Sequence, residues 1–281
     1  MTDLKVSIVL YKNEASQIEK AMSGILESGL DVRIVLIDNS PSDALRVLES
    51  TDDRIEYIFN DANIGFGAAH NIALFSSIDE AVKFHLVLNP DVFFGADVLP
   101  EILEYMLDNE TVGNLMPNVL YADGKMQHLC KLLPNPCNLV SRLMLPKSLH
   151  RKFNFNRNFE LRFWDHNHIA NIPSLSGCFM FLRVDSLKAV GVFDETIFMY
   201  IEDLDLNRRI HQKYKTVFYP KKTIYHEHNR ESFRKLGLLL IHLKSAIYYF
   251  SKWGWFIDTD RKLVNTAALD GVELTPTAIG D

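Results

Sequence analysis

The feature that most limits the fold is an alternation in the N-terminal third. Short, almost continuous apolar runs are each followed by a segment of helical spacing. Residues 6–11, Val-Ser-Ile-Val-Leu-Tyr, read as a buried strand. Residues 14–28 then place Ile18, Met22, Ile25 and Leu26 on one helical face. Residues 32–37 read as a second strand ending at Asp38-Asn39-Ser40-Pro41, where Ser40 and Pro41 resemble the N-cap and first turn of another helix. Residues 55–59 and 84–88 are further strands, the latter ending at Asn89-Pro90-Asp91. This alternation predicts an α/β fold, a mostly parallel sheet flanked by helices. Such sheets bind ligands at the carboxyl ends of their strands. Asp38 and Asp91 both lie at such ends, so they are predicted to face one crevice.

The composition suits such a fold. Hydrophobic residues make up 47% of the 281, enough for a large core, and the formal net charge of −6 disfavours nucleic acid as a partner. The three cysteines, Cys130, Cys137 and Cys178, are odd in number and contain no CxxC pair, which predicts neither a disulfide framework nor a zinc site. A reducing, cytoplasmic setting is the natural expectation. The first residues lead straight into a strand without the pattern of a signal peptide. No apolar run approaches the ~18 residues of a membrane span.

Further along, residues 129–168 lose the pattern and are punctuated by Pro134, Pro136 and Pro146, as expected of an insertion or flap. A strand is expected over 176–183, a helix over 202–213 and a last strand over 216–219. The tail after about residue 266 is small and polar, and is expected to be poorly ordered.

Several residues could carry chemistry, and each has a plainer reading. Pro90 fixes its own φ and restricts Asn89, so Asp91 sits on a rigid turn. A carboxylate there can hold Mg²⁺ or Mn²⁺ together with the oxygens of a diphosphate; it can equally cap a helix. Asp38 can accept a hydrogen bond from a pyrimidine N3–H or simply close a turn. The loop Asn63-Ile64-Gly65-Phe66-Gly67-Ala68-Ala69-His70-Asn71 opens a helix, where glycines allow close backbone approach and N–H groups favour anions. It lacks the third glycine of a dinucleotide fingerprint. In the segment 193–206 five acids cluster with aromatics, and Glu202 and Asp203 fall in the first turn of a helix, where the macrodipole favours negative charge. Asp203 can then act as a base. In Tyr225-His226-Glu227-His228 the histidines share one face of a strand and could complete a metal site.

Taken together these residues resemble the inverting family 2 glycosyltransferases of the GT-A fold, and most of all the rhamnosyltransferase-like enzymes of bacterial surface-polysaccharide assembly. The marks are Ile37-Asp38-Asn39-Ser40, Asn63-x-Gly65-Phe66-Gly67-x-x-x-Asn71, Leu88-Asn89-Pro90-Asp91, Ser176-Gly177-x-Phe179-Met180, Phe198-Met199-Tyr200-x-Glu202-Asp203-x-Asp205-Leu206 and His226 with Ser232. The resemblance implies that Tyr11, Asp38, Asn63, Gly65, Asn71 and Asn89 lie at the nucleotide or donor sugar. It implies Asp91 and His226 as ligands of Mg²⁺ or Mn²⁺, Asp203 as the base, and Gly177, Cys178 and Glu202 at the acceptor. Many members have an Asp where this chain has Asn89, so the charge at the metal position is lower here. The implied donor is a nucleotide sugar, dTDP-rhamnose before a UDP-sugar; the implied acceptor is a glycan or lipid-linked glycan.

Between Arg208 and Lys252 eleven Lys and Arg face two acids, Glu227 and Glu231. Leu236, Leu240, Leu243, Ile247 and Phe250 are predicted on one helical face, with Trp253, Trp255 and Phe256 following. Such a helix fits an anionic membrane interface, here the inner leaflet, or packs on the catalytic domain. The expected division is a catalytic domain over 1–228 and a C-terminal amphipathic helical extension over 229–281. Two other classes fit less well. A sugar-nucleotide nucleotidyltransferase would carry a glycine-rich loop after its first strand, where this chain has Tyr11-Lys12-Asn13-Glu14. A non-catalytic nucleotide-sugar-binding subunit would not need Asp91, Asp203 and His226.

Overall fold

A computed structural model describes residues 3–144, 156–227 and 236–272. The expected N-terminal strands are present as β1 (Leu4–Leu10), β2 (Val32–Asp38), β3 (Ile55–Phe59) and β4 (Phe84–Leu88). They pair in parallel in the order β3-β2-β1-β4. Helices α1 (Ala15–Leu26) and α2 (Phe66–Asp79) cover opposite faces. The reason is the two-residue period of β2. Ile34 and Leu36 join Ile18, Met22 and Ile25 of α1, while Val35 and Ile37 join Ala69 and Ala73 of α2. A strand buried on both faces must be apolar throughout.

Beyond β4 the sheet becomes mixed. The short strand β5 (Val92–Phe93) is followed by α3 (Val98–Asp108) and by β6 (Val112–Leu120). Next come α4 (Pro136–Met144), β7 (Ala170–Asn171), β8 (Phe179–Arg183) and α5 (Val184–Val190). Then follow α6 (Glu202–His211), β9 (Lys215–His226), α7 (Leu236–Trp253) and α8 (Thr259–Asp270). The sheet continues β4-β8-β6-β9-β5, with β7 also on β9. β8 runs antiparallel to both β4 and β6, and β6 is parallel to β9. The N-terminal half is thus wholly parallel, as expected, and the C-terminal half combines the parallel β6–β9 pair with antiparallel neighbours.

Four local expectations are corrected. Ser40 does not cap a helix: its N–H donates to Asp38 and its hydroxyl accepts from Lys12 N–H, and a 3-10 helix begins only at Ala44. The last strand runs to His226 because it continues through a register shift beside Pro117 and Asn118, past the polar Lys221 and Lys222. The region read as a flap is packed where it is described: Phe159, Leu161 and Trp164 belong to the main core. Residues 266–270, expected to be loose, lie in α8, and Ala268 reaches that same core. His228, Ser232 and residues 273–281 lie outside the described residues.

On α7 the predicted stripe divides. Phe250 is buried with Ala246 and Tyr249, whereas Leu240 and Ile247 are exposed. Trp253 packs beside that buried cluster, while Phe256 and Ile257 are 80% and 90% exposed. Among the described residues no helix is long and apolar enough to cross a membrane. All three cysteines are free.

Candidate active site

The ends of β1, β2 and β4 come together because β1 lies between the other two, with Leu10 beside Asp38 and Ile8 beside Leu88. The chain reverses its sheet order at β1, the place where open α/β sheets form a ligand crevice. Asp91 follows β4 immediately. The neighbouring pairing of Val92 with His226 brings the end of β9 to the same point.

There His226 Nε2 lies 3.2 Å from Asp91 Oδ1. The other ring nitrogen, Nδ1, is 3.0 Å from Gln127 Oε1, and the Gln127 amide N–H donates to the His226 carbonyl at 2.8 Å. Because that amide nitrogen is committed, Oε1 is the acceptor and Nδ1 carries the proton. Gln127 thus turns Nε2 toward Asp91, as partners behind metal-binding histidines do. Burial alone would lower the imidazole pKa, but the Cys178 sulfur and the Asp91 carboxylate raise it to about 10. Surroundings that hold a proton this firmly also favour a cation. The buried Oδ1 of Asn89 has no hydrogen-bond partner among the described residues. Among the described residues no three His, Cys, Asp or Glu side chains converge. Asp91 and His226 could supply two of the ligands that Mg²⁺ or Mn²⁺ takes together with diphosphate oxygens and water.

Residues 176–178 connect this point to Asp203. Cys178 O accepts from Asn89 N–H at 2.9 Å, and Gly177 N–H donates to Asp203 Oδ2 at 2.8 Å. A Cβ on Gly177 would stand 3.0 Å from Asp203 Cβ, a tight contact that would press the Asp203 side chain away from this backbone. Asp203 Oδ1 accepts from Leu204 N–H at 2.8 Å. Its neighbour Glu202 is buried with Oε2 unpartnered, and its pKa is raised well above the usual value by burial and then by the Asp203 charge. Burial thus favours the protonated form of Glu202 beside the half-buried Asp203 carboxylate.

α6 begins from a turn that sequence reasoning missed. Tyr200 and Ile201 both have left-handed backbone, φ 67° and 72°. For a β-branched residue this is strained, at a cost of about 1–3 kcal/mol per residue. No residue type in Phe198-Met199-Tyr200-Ile201 signals it. Also missed were Gln127 and the fully buried pair Asn114 and Asn207, joined at 2.8 Å. Asn207 also donates to Leu175 O and Asp203 O, fixing α6 against the loop before β8.

The predicted residues divide by accessibility. Tyr11 and Asn63 are exposed; Asn89, Asp91 and Asp203 are half-buried. The others are enclosed. Asp38 has no accessible surface, and its oxygens accept from Ser40 N–H at 2.7 Å and Tyr57 O–H at 2.5 Å. In this arrangement a base contact is not open to it; it braces the turn carrying Asn39 and Ser40. Asn71 donates to Phe193 O and Glu195 and accepts from Phe193 N–H. The loop glycines approach protein, not ligand: a Cβ on Gly65 would lie 2.4 Å from Phe198 O, and one on Gly67 2.9 Å from Phe193 Cβ. Gly177, Cys178 and Glu202 are buried as well, leaving half-buried Ser176 as the accessible residue of that loop.

Comparison with known proteins agrees with this arrangement. The family model described as glycosyl transferase family 2 matches residues 7–191. A Haloferax volcanii protein named low-salt glycan biosynthesis hexosyltransferase Agl10 is 28% identical over 73% of this chain, which spans 60% of that protein's length. The N-acetylglucosaminyl-diphospho-decaprenol L-rhamnosyltransferase of Mycobacterium tuberculosis is 23% identical over 91% of this chain and 87% of its own. The crystal structure of GalNAc-T7 with UDP, GalNAc and Mn²⁺ superposes with a TM-score of 0.65 at 13% identity, covering 99% of this chain and 52% of that one. With the GT-A architecture, its crevice at the strand ends and a family match across most of the sheet, the chain belongs to glycosyl transferase family 2.

Proposed function

We propose that this protein is an inverting glycosyltransferase that moves a sugar from a nucleotide-diphosphate donor to a hydroxyl of a glycan or lipid-linked glycan. The observation that carries this reading is the linkage of two unlike centres through residues 176–178. The Asp91–His226 pair lies on one side and the accessible Asp203 carboxylate on the other. Asp91 and His226, with the Asn89 oxygen, would hold Mg²⁺ or Mn²⁺. When bound, that ion neutralises charge on the departing diphosphate.

The remaining chemistry belongs to the chain. Asp203 takes the proton of the acceptor hydroxyl as its oxygen bonds the anomeric carbon and the bond from that carbon to the diphosphate breaks. A single displacement inverts the configuration. The N–H groups of Gly177 and Leu204 fix the direction in which the carboxylate faces. Exposed Tyr11 and Asn63, at the ends of the strands and on the loop before α2, are the accessible groups for the nucleotide. Rhamnose as the sugar and a lipid-diphosphate-linked acceptor are supported by similarity to the M. tuberculosis rhamnosyltransferase; dTDP-rhamnose is the donor and a surface polysaccharide such as O-antigen or capsule the product in this reading. The exposed apolar residues Leu240, Ile247, Phe256 and Ile257 support docking at the membrane surface that holds a lipid-linked acceptor.

Asp203→Asn keeps the side chain's size and removes the base. Turnover is expected to fall by about 10²-fold or more, with donor affinity measured by calorimetry nearly unchanged. Near wild-type turnover in that variant would overturn the assignment.

A further inference from the structure

The family match ends at residue 191, yet Asp203 stands on elements held in place by the chain's last described segment. We propose that α7 is a positioning element for the catalytic base, acting through Ser245 on the left-handed turn before α6 and through Trp253 on α6 itself. The proposal rests on the reading of Asp203 as the base.

The contacts fall at the two places where Asp203 could be displaced. At the turn, buried Ser245 donates its hydroxyl to Met199 O at 2.8 Å. His242, one helical turn earlier, stacks on Tyr200 with ring centroids 4.9 Å apart. Ile201 packs against Ala246, Tyr249 and Phe250 of the same helix. A pair of left-handed non-glycine residues persists only where surrounding contacts over-determine it. Among the described residues, α7 supplies those contacts from one face.

Two residues beyond Asp203, the Asp205 carboxylate is fully buried. Trp253 Nε1 donates to it at 2.8 Å, Lys252 lies 2.9 Å away and Arg209 2.9 Å away. On the next turn Arg208, also buried, is paired with Asp258 at 2.7 Å and Asp260 at 2.9 Å, and the Trp253 ring covers its guanidinium at 4.2 Å. One residue, Trp253, therefore touches both Asp205 and Arg208 of α6. Three basic residues of this region are engaged within the fold: Arg208, Arg209 and Lys252 meet the carboxylates of Asp194, Asp205, Asp258 and Asp260.

The test separates positioning from folding by asking which kinetic constant moves. Ser245→Ala removes the hydroxyl that holds Met199 O. Ser245→Thr keeps it, and the extra methyl has room because Ser245 lines a cleft of about 200 Å³ with Thr196, Phe198, Ile241 and Lys244. Trp253→Phe removes the N–H to Asp205 but keeps a ring over Arg208. Ser245→Ala and Trp253→Phe are expected to lower kcat about tenfold, with donor affinity by calorimetry within about twofold, because small misplacement of a reacting group costs rate before binding. Ser245→Thr is expected to restore kcat. Wild-type kcat in both first variants, or donor affinity falling in step with kcat, would overturn the proposal. If Asp203→Asn still turns over, the base assignment is what fails. If Asp203→Asn is inactive while Ser245→Ala and Trp253→Phe are not, α7 has no positioning role.

Discussion

Glu202 and Asp203 are adjacent in sequence and differ in every physical respect that matters. Asp203 is half-buried and held by two N–H donors; Glu202 is buried with one oxygen unpartnered, and keeps its proton above the usual range. This has a consequence for stability. A carboxyl whose folded pKa is raised binds its proton more tightly in the folded chain than in the unfolded one. Its favourable contribution is complete below the ordinary value of 4.5 and is lost as pH climbs toward the folded value. Glu202→Gln, which cannot ionise, should therefore lose less stability than the wild type between pH 5 and pH 8. Urea denaturation across that range checks this, and parallel pH profiles for the two proteins would contradict it. The resemblance in sequence assigned the two acids different roles, but not their difference in burial, because one of the donors to Asp203, Gly177, comes from the loop before β8.

At the scale of elements, the loop that opens α2 looked like a ligand cradle and proves to be a socket for the protein. Phe66 N–H donates to Phe198 O, and Gly65 has φ +96° with Phe198 O where a Cβ would be. Asn71 closes the other end on Phe193 and Glu195. α2 thus grips the loop leading to Asp203 from one side while α7 grips it from the other. Gly65→Ala should cost about 1–3 kcal/mol in urea unfolding from backbone strain alone. It should also lower kcat, since the displaced loop carries the base. Unchanged stability would show that the loop gives way freely. The strands were legible because an apolar run bounded by turn residues is a local property. The left-handed turn at 200–201 was not: its residues have no preference for that conformation, and tertiary contacts impose it.

At the scale of the molecule, the C-terminal segment both packs on the catalytic core and presents apolar side chains outward. Trp253 belongs to the packed part, under which Arg208 is enclosed. Phe256 and Ile257 belong to the outward part. A vesicle-flotation experiment should therefore change the latter pair. Phe256→Ser with Ile257→Ser is expected to reduce recovery with anionic vesicles while leaving turnover on a water-soluble acceptor intact. Equal flotation of variant and wild type would count against membrane docking through these residues. The sequence showed a basic helix with an apolar stripe and left both outcomes open. The fold commits Arg208 and Lys252 to pairs with Asp258 and Asp205 and divides the stripe between Phe250, which is buried, and Leu240 and Ile247, which are not.

The sequence by itself determined the alternation of strands and helices, the sheet of the N-terminal half and the placing of Asp91 and Asp203 at element ends. Each of these follows from periodicity and turn chemistry within a few consecutive residues. Only the tertiary structure decided which members of the resulting set can touch a ligand. Asp38, Gly65, Asn71 and Cys178 lie within the motifs but serve as supports, while Gln127, Asn114 and Asn207 lie in no motif and orient the groups that face the crevice. The physical reason is that accessibility and hydrogen-bond partnership are set by what packs above a residue, and here a packing partner can lie 122 residues away in sequence, as Phe193 does from Asn71.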